Sequence, residues 1–418
     1  MNCCLFLTVY IVSGEVTLKY LILGAGPAGL TFANRLLQNG IDDFLVLEKE
    51  EEAGGLCRSR NVGGAPLDTG GGHFLDVRNP KVLDFLFPFM SEELWDRYDR
   101  DSRIVVNGNT INSPIEANIW QMKLEDQVQY LKAIAVAGCN LGTKMPEKFI
   151  DWIYWKLGDK IAEDYMIPYN KKMFGENLNE LGTYWLNKLP NVSFDETLIS
   201  CLEKKAYGTQ PGHASFYYPK KHGYGELWLR LAEKLGDRIK YNTAVKRLDT
   251  EKRTVNEEYE ADVIITTVPW KDLNKITGLD NEAEEGIDKL KYSSVVIEYV
   301  NERLDTQAHW IYYPDPSLSY HRILVRHNFC PGSEGYWTET NLTRFDEEGK
   351  DKQNYFINKY AYPLNTIGKE EIMQKLLADM KEKGIYGLGR WGEWQHYNSD
   401  VVVARALALA DELSRKNE

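Results

Sequence analysis

Residues Leu18 to Glu48, LKYLILGAGPAGLTFANRLLQNGIDDFLVLE, constrain this chain more than any other stretch. A short apolar run, Tyr20 to Leu23, reads as a fully buried strand. Gly24, Gly26 and Gly29 follow in GxGxxG spacing, then a helix-compatible segment to Gln38, then a second apolar run from Phe44 to Leu47 ending in Glu48. Gly24 allows the tight turn, Gly26 lets the backbone approach a pyrophosphate, and Gly29 lets helix and strand pack closely. Pro27 and Ala28 open the helix, whose N-terminus presents free N–H groups to two phosphates. Glu48, 19 residues past Gly29, stands where a carboxylate can accept hydrogen bonds from an adenosine ribose. A bare glycine spacing would suit any α/β turn. Strand, helix, strand and acidic terminus together point to a bound dinucleotide.

The next residues are KEEEAGGLCRSRNVGGAPLDTGGGHFLD. Gly54 and Gly55 form a second glycine pair, followed by Leu56 and Arg58, which can neutralise a phosphate or steady the loop. A nicotinamide dehydrogenase has no need of this second loop. Here the sequence resembles the flavoprotein superfamily that contains flavin amine oxidases, protoporphyrinogen oxidases and UDP-galactopyranose mutases. In that superfamily the segment matching Glu48 to Ser59 extends the FAD fingerprint. The resemblance therefore implies FAD, held by Glu48, Lys49, Gly54, Gly55, Leu56 and Arg58 together with the first glycine turn, rather than NAD(P) alone.

At 418 residues the chain suggests two or three domains, and 43% apolar residues suit an ordinary globular protein. A formal charge of -12 argues against a general nucleic-acid surface, although one basic pocket for an anionic substrate remains compatible with it. The 11 Trp and 25 Tyr often fall beside glycine or proline, a pattern that suits sugar or ring stacking and structural packing alike. Cys3, Cys4, Cys57, Cys139, Cys201 and Cys330 form no CxxC, so neither a metal site nor a disulfide framework is expected, and the cytoplasm is the expected home. The opening MNCCLFLTVYIVSG is apolar, but lacks a positive start and is too short to span a membrane. It reads as a dispensable leader or as sequence upstream of a true start near Leu18. No membrane insertion is expected.

Further along, Gly70-Gly71-Gly72-His73 makes a backbone-exposed loop that can pass beneath a planar ring. The resemblance sharpens toward UDP-galactopyranose mutases here, which carry a histidine after glycine in the corresponding loop. It implies that Gly72 and His73 contact flavin or substrate. Residues 80 to 190 read as largely helical, ending in Tyr169-Asn170-Lys171-Lys172-Met173-Phe174-Gly175, which is similar to a stretch closing the mutases' helical domain. Phe174 stands where bacterial mutases usually have tryptophan. Tyr184 and Trp185 follow, suited either to stacking on a nucleobase or to packing a domain junction.

The segment Phe216 to Trp228 resembles a YP-x-x-x-G-x-G-x-x-W stretch of eukaryotic-type mutases and leads into a helix to Leu235. Asn242 to Leu248 and Ala261 to Thr267 read as strands, and the resemblance puts Val245 against FAD. From Tyr292 onward, strand-like runs suggest an antiparallel sheet over the cofactor. Tyr320-His321-Arg322 and Tyr360-Ala361-Tyr362-Pro363 resemble mutase motifs whose arginine and tyrosines hold the sugar-nucleotide pyrophosphate. Near the C-terminus, Gly389, Arg390, Gly392 and Asp400 match a mutase turn, while Trp394 and His396 replace two tyrosines and Tyr397 sits one place late, followed by Asn398. Gly389, Arg390, Tyr397, Asn398 and Asp400 are expected beside the flavin.

What the resemblance implies is an α/β fold: an FAD-binding Rossmann-like domain (17–80, 214–290, 380–418), an inserted helical domain (81–190) and an antiparallel-sheet substrate domain (191–213, 291–379). It also implies an isomerase that uses reduced FAD, with NAD(P)H as an external reductant, to interconvert pyranose and furanose forms of a nucleotide sugar, most naturally UDP-galactose, through flavin N5 attack on the anomeric carbon. Arg322 and His73 would be catalytic, and Tyr169, Phe174, Tyr184, Trp185, Tyr320 and Tyr362 would bind substrate with Arg322. A homodimer is a plausible assembly, with no interface legible in the residues. The competing class is an FAD oxidoreductase of the amine oxidase, porphyrinogen oxidase or desaturase type.

Overall fold

In the computed structural model, which describes residues 17–76, 78–137, 142–186, 192–208, 214–273 and 275–415, the opening βαβ unit lies at the centre of an eight-stranded sheet. The strand Leu18–Leu23 pairs in parallel with Phe44–Leu47 on one side and Tyr259–Thr266 on the other. Ile239–Lys240 extends the sheet beyond Phe44–Leu47, and Ile385–Gly387 joins it beside Tyr259–Thr266, so three distant parts of the chain close one layer. Leu21, Ile22 and Leu23 are fully buried, as expected of a strand covered on both faces. The helix Pro27–Gln38 follows the glycine turn, with proline at its first position supplying a preset φ. It packs against the C-terminal helix Ser399–Arg415, which ties the end of the chain to its beginning.

A second, seven-stranded sheet covers the first domain. Its order runs Tyr355–Pro363, Tyr292–Val300, Tyr336–Asn341, Tyr320–Leu324, Trp310–Tyr312, Ser102–Val106, Asn109–Asn112. The strands after Tyr292 thus pair antiparallel, as the sequence predicts.

Three local readings differ from the sequence expectation. Within the span read as largely helical, Pro80–Leu86 is a helix, but Trp95–Asp99, Ser102–Val106 and Asn109–Asn112 are strands, and α-helix resumes only at Ile115. Ser102–Val106 alternates buried and half-buried residues, a period of two that the surrounding helical patterns obscured. Of the strand read over Asn242 to Leu248, only Arg247–Asp249 forms one. The side chain of Asn256 accepts from the amides of Lys246 and Arg247 there, and Thr243 N–H is spent on Glu48 O at 2.8 Å. Finally, Phe194–Glu203 is a helix capped by a reciprocal Ser193–Glu196 box and packed with the helical layer, although the sequence grouped it with the sheet. The leader at 1–16, Cys139, and residues 191 and 209–213 of that grouping lie outside the described residues. Among the described residues no helix is long and apolar enough to cross a membrane.

Candidate active site

The glycine turn opens onto a cleft of about 510 Å³ between the two sheets. One wall is the fingerprint itself, with Gly24, Gly26, Pro27 and Ala28 lining the cleft beside Glu48 and Lys49. Gly29 works from behind: a Cβ there would lie 2.0 Å from Gly24 O, so only glycine allows this approach of helix to turn. The second glycine pair meets the first, with Gly54 N–H donating to Ala25 O at 2.8 Å and Gly55, Leu56 and Arg58 lining the cleft. Glu48 is almost fully buried, and its carboxylate accepts from Ala25 N–H at 2.7 Å and Glu50 N–H at 3.0 Å. It therefore braces the turn as well as facing the cleft, and burial raises its pKa.

The opposite wall comes from elements far away in sequence. Val245 lines the cleft within the segment Thr243–Lys246, and Asn358, Lys359 and Tyr360 descend from the edge strand of the second sheet. Arg390 closes the inner end. Its Nε and Nη2 donate to Tyr397 O at 3.0 and 2.8 Å, and its Nη1 donates to Ala361 O at 3.0 Å. These partners are neutral carbonyls, and no carboxylate lies within ion-pair distance among the described residues. The site thus holds a half-buried cation with no carboxylate partner among the described residues. Tyr397 lines the cleft too, whereas Gly54, Gly72, Gly389, Asn398 and Asp400 stand behind its surface and shape the turns that form it. Gly389 (φ +77°) approaches Ala28 closely, and its N–H is held by Glu393 at 2.8 Å.

These residues fit FAD. At Gly26 a Cβ would find nothing nearer than Gly55 Cα at 3.9 Å, so two stretches of bare backbone face the cleft. The helix N-terminus and Arg390 supply the positive field that a pyrophosphate needs.

His73 lines the same cleft, brought there by the triple-glycine loop. Its ring is parallel to Tyr224 (10°, centroids 6.3 Å apart), and Nδ1–H donates to Gly71 O at 2.9 Å, leaving Nε2 as an acceptor. Burial, aided by Arg390, lowers its pKa to about 4, so the imidazole is neutral near pH 7. Beyond it on the second sheet stands Arg322, which His73 senses electrostatically. Arg322 Nε donates to Glu339 Oε2 at 3.0 Å, and Nη2 donates to the same oxygen. Burial opposes ionisation of Glu339, but Arg322 and the contributions of His321 and Gly72 N–H outweigh it and hold the carboxyl down to about 2. Tyr362 lies between the two arginines: Arg390 Cζ is 5.8 Å from its ring centre, and its hydroxyl senses both guanidinium groups.

Tyr169 is packed edge-on to Tyr312 and His321, at 5.5 and 5.8 Å, within reach of the field of Arg322. Tyr320 is half-buried beneath Lys172, whose buried ammonium donates to Tyr313 O and Asp315 O at 2.8 and 2.7 Å. The remaining aromatics pack a junction. Trp185 Nε1–H donates to Gly182 O at 2.8 Å and its ring meets Phe149 and Phe174, while Tyr184 lies under Lys369. Phe174, Tyr184 and Trp185 do not line the cleft, and neither do Tyr169, Tyr320, Arg322 and Tyr362, which stand beyond His73 on the side of the second sheet. Sequence reasoning missed Glu339, Asn358 and Asp272. Only its place in a strand-like run marked Glu339, and nothing nearby in sequence signals its partners.

A family described as flavin containing amine oxidoreductase matches residues 27–383. The fold superposes on reduced UDP-galactopyranose mutase with a TM-score of 0.84, at 22% identity over 95% of this chain and 94% of that one. A putative protoporphyrinogen oxidase from Exiguobacterium sp. 255-15 superposes with a TM-score of 0.69, at 15% identity over 96% of this chain and all of that one. A Baeyer-Villiger monooxygenase of Pseudomonas aeruginosa is 30% identical over 101 residues, 21% of this chain, and the chain spans 18% of that relative's length.

Proposed function

The chain belongs to the flavin containing amine oxidoreductase family and is an FAD-dependent enzyme, and from that premise we propose that it is a nucleotide-sugar mutase interconverting UDP-galactopyranose and UDP-galactofuranose. The observation that carries this reading is the charge of the inner site. Arg322 is paired with the buried carboxylate of Glu339 while Arg390 meets only carbonyl oxygens, which leaves a surplus positive charge around Tyr362. Such a site attracts a diphosphate and repels the ammonium group of an amine substrate.

Gly24, Gly26, Gly55, Arg58, Val245 and Arg390 would hold FAD, with Glu48 bracing the turn. When bound there, reduced FAD would supply the nucleophile for the anomeric carbon. Arg322 and Tyr362 bind and retain the departing nucleotide diphosphate, by charge and by a hydroxyl donor, so that it is present for recapture. Tyr169, within the field of Arg322, would wall that clamp, and Tyr320 stands two residues before Arg322 on the same strand. His73 stays neutral, with its Nδ1 proton fixed on Gly71 O, so Nε2 can accept a hydrogen bond at the cleft face. The division into cofactor, helical and substrate domains is part of the same proposal, as is a cytoplasmic home, consistent with the free thiols of Cys57, Cys201 and Cys330.

One observation favours an oxidoreductase instead. Tyr184 and Trp185 are packed into the junction, so the stacking platform expected for a nucleobase is missing from the cleft lining. The test is to reduce the FAD-loaded protein with dithionite without oxygen, supply UDP-galactopyranose, and separate the products by chromatography. Furanose formed only in the reduced state supports the mutase. No turnover across a UDP, GDP and dTDP sugar panel removes it, and bleaching of oxidised flavin by amines or hydroaromatic compounds would establish the oxidoreductase.

A further inference from the structure

Glu339 sits in the middle of the second sheet, fully buried, and touches two parts of the site at once. Its Oε2 accepts from Arg322, and its Oε1 accepts from Gly72 N–H at 3.2 Å. A Cβ on Gly71 would lie 3.0 Å from that Oε1, so the glycine loop is moulded around the carboxylate. His321 Nε2 lies 3.6 Å from Oε2, and Tyr169 stands against His321. A second tie runs from Asn358 Nδ2–H to Thr69 O at 2.7 Å. The loop that carries His73 is therefore fastened at both ends to the sheet that carries Arg322. A shift of Arg322 onto an arriving anion must relax or pull the carboxylate that also holds Gly72, one residue from His73.

We infer that Glu339 is a positioning residue that couples anion occupancy at Arg322 to the placement of the Gly72–His73 segment in the cofactor cleft. The inference rests on the reading of Arg322 as a nucleotide clamp. A carboxylate that only fills the core would stabilise the fold and pass nothing between the two sites. A coupling carboxylate makes UDP binding visible at the flavin, because linkage between two sites is reciprocal.

The experiment titrates UDP into oxidised, FAD-loaded protein and follows both bound UDP, by equilibrium dialysis, and the flavin absorption band. Glu339→Gln keeps an acceptor for Gly72 but turns an amide donor toward Arg322. Glu339→Asp keeps the charge but is one methylene too short to reach both partners. In the wild-type protein, UDP is expected to perturb the flavin band saturably. Both variants should bind UDP within about tenfold of wild type, while the flavin perturbation falls by at least half. If the glutamine variant does not retain FAD, the aspartate variant decides. A full-size perturbation in a variant with UDP bound overturns the coupling and leaves Glu339 as packing. Wild-type protein that binds UDP with no flavin response overturns the inference alone, whereas wild-type protein that binds no UDP removes the nucleotide reading and the inference with it.

Discussion

Two alanine substitutions in the first glycine turn separate cofactor binding from folding. Gly26 has φ −81° and ψ −176°, a conformation open to any residue, and a Cβ there meets only Gly55 Cα at 3.9 Å. Gly26→Ala therefore adds a methyl group that the folded protein accommodates, pointing into the space FAD must occupy. Its stability without FAD should stay within about 0.5 kcal/mol of wild type. Its FAD affinity should fall by about 1–3 kcal/mol, the usual cost of forcing one extra methyl into a close contact, which is about five- to 150-fold. Gly29→Ala meets the opposite geometry. Its Cβ would lie 2.0 Å from Gly24 O and 3.2 Å from Ile22 Cγ2, so the helix must withdraw from the strand by about an ångström. Backbone cannot rotate away as a side chain can, so the loss is placed at about 3 kcal/mol or more, in stability first and FAD binding second. Urea unfolding of the FAD-stripped proteins and FAD titration by fluorescence measure the two quantities. The reasoning is refuted if Gly26→Ala unfolds as readily as Gly29→Ala, or if it binds FAD as tightly as wild type.

Three further outcomes are expected. Arg322→Lys replaces a planar fork by a point charge and should lower turnover of reduced enzyme by about a hundredfold with little change in FAD content, measured by product chromatography and flavin absorbance. Saturating FAD should raise the thermal midpoint in a concentration-dependent way, by about 2.7 kcal/mol of stabilisation at a hundredfold excess over Kd, and a midpoint indifferent to FAD would contradict the cleft assignment. Asp68 gives a pH test. Burial pushes its carboxyl up to about 7, against the hydrogen bonds it accepts from Ser59, Tyr224 N–H and Tyr218. Between pH 4 and 7 the folded protein then binds a proton that the unfolded chain has lost, so this group makes stability fall as pH rises through that window. Asp68→Asn should flatten that part of the stability–pH curve, and an unchanged slope in urea unfolding would exclude the assignment.

What the sequence made legible follows from the range of the interactions. The βαβ unit is readable because its constraints lie within one short segment: Gly29 is needed by Gly24 five residues earlier, and Glu48 braces Ala25 from the far end of the same unit, 23 residues on. The strand Ser102–Val106 was not readable as part of the second sheet, because its partner, Trp310–Tyr312, lies some two hundred residues away and its period-two pattern is only five residues long. Aromatic residues carried the least positional information. Tyr184 and Trp185 satisfy a core junction as well as they would a base, and their burial is decided by Phe149, Phe174 and Lys369, none of which a motif connects to them. Arginine shows the same limit more sharply. Arg322 and Arg390 were both picked out by resemblance, yet their chemistry differs because one faces a carboxylate and the other only carbonyl oxygens. That difference depends on Glu339, Tyr397 and Ala361. It makes Arg322 a cation already paired and able to exchange partners, and Arg390 a fixed source of positive field. A site of this kind can hold one diphosphate permanently and release another, which is the combination that a bound FAD and a returning nucleotide require.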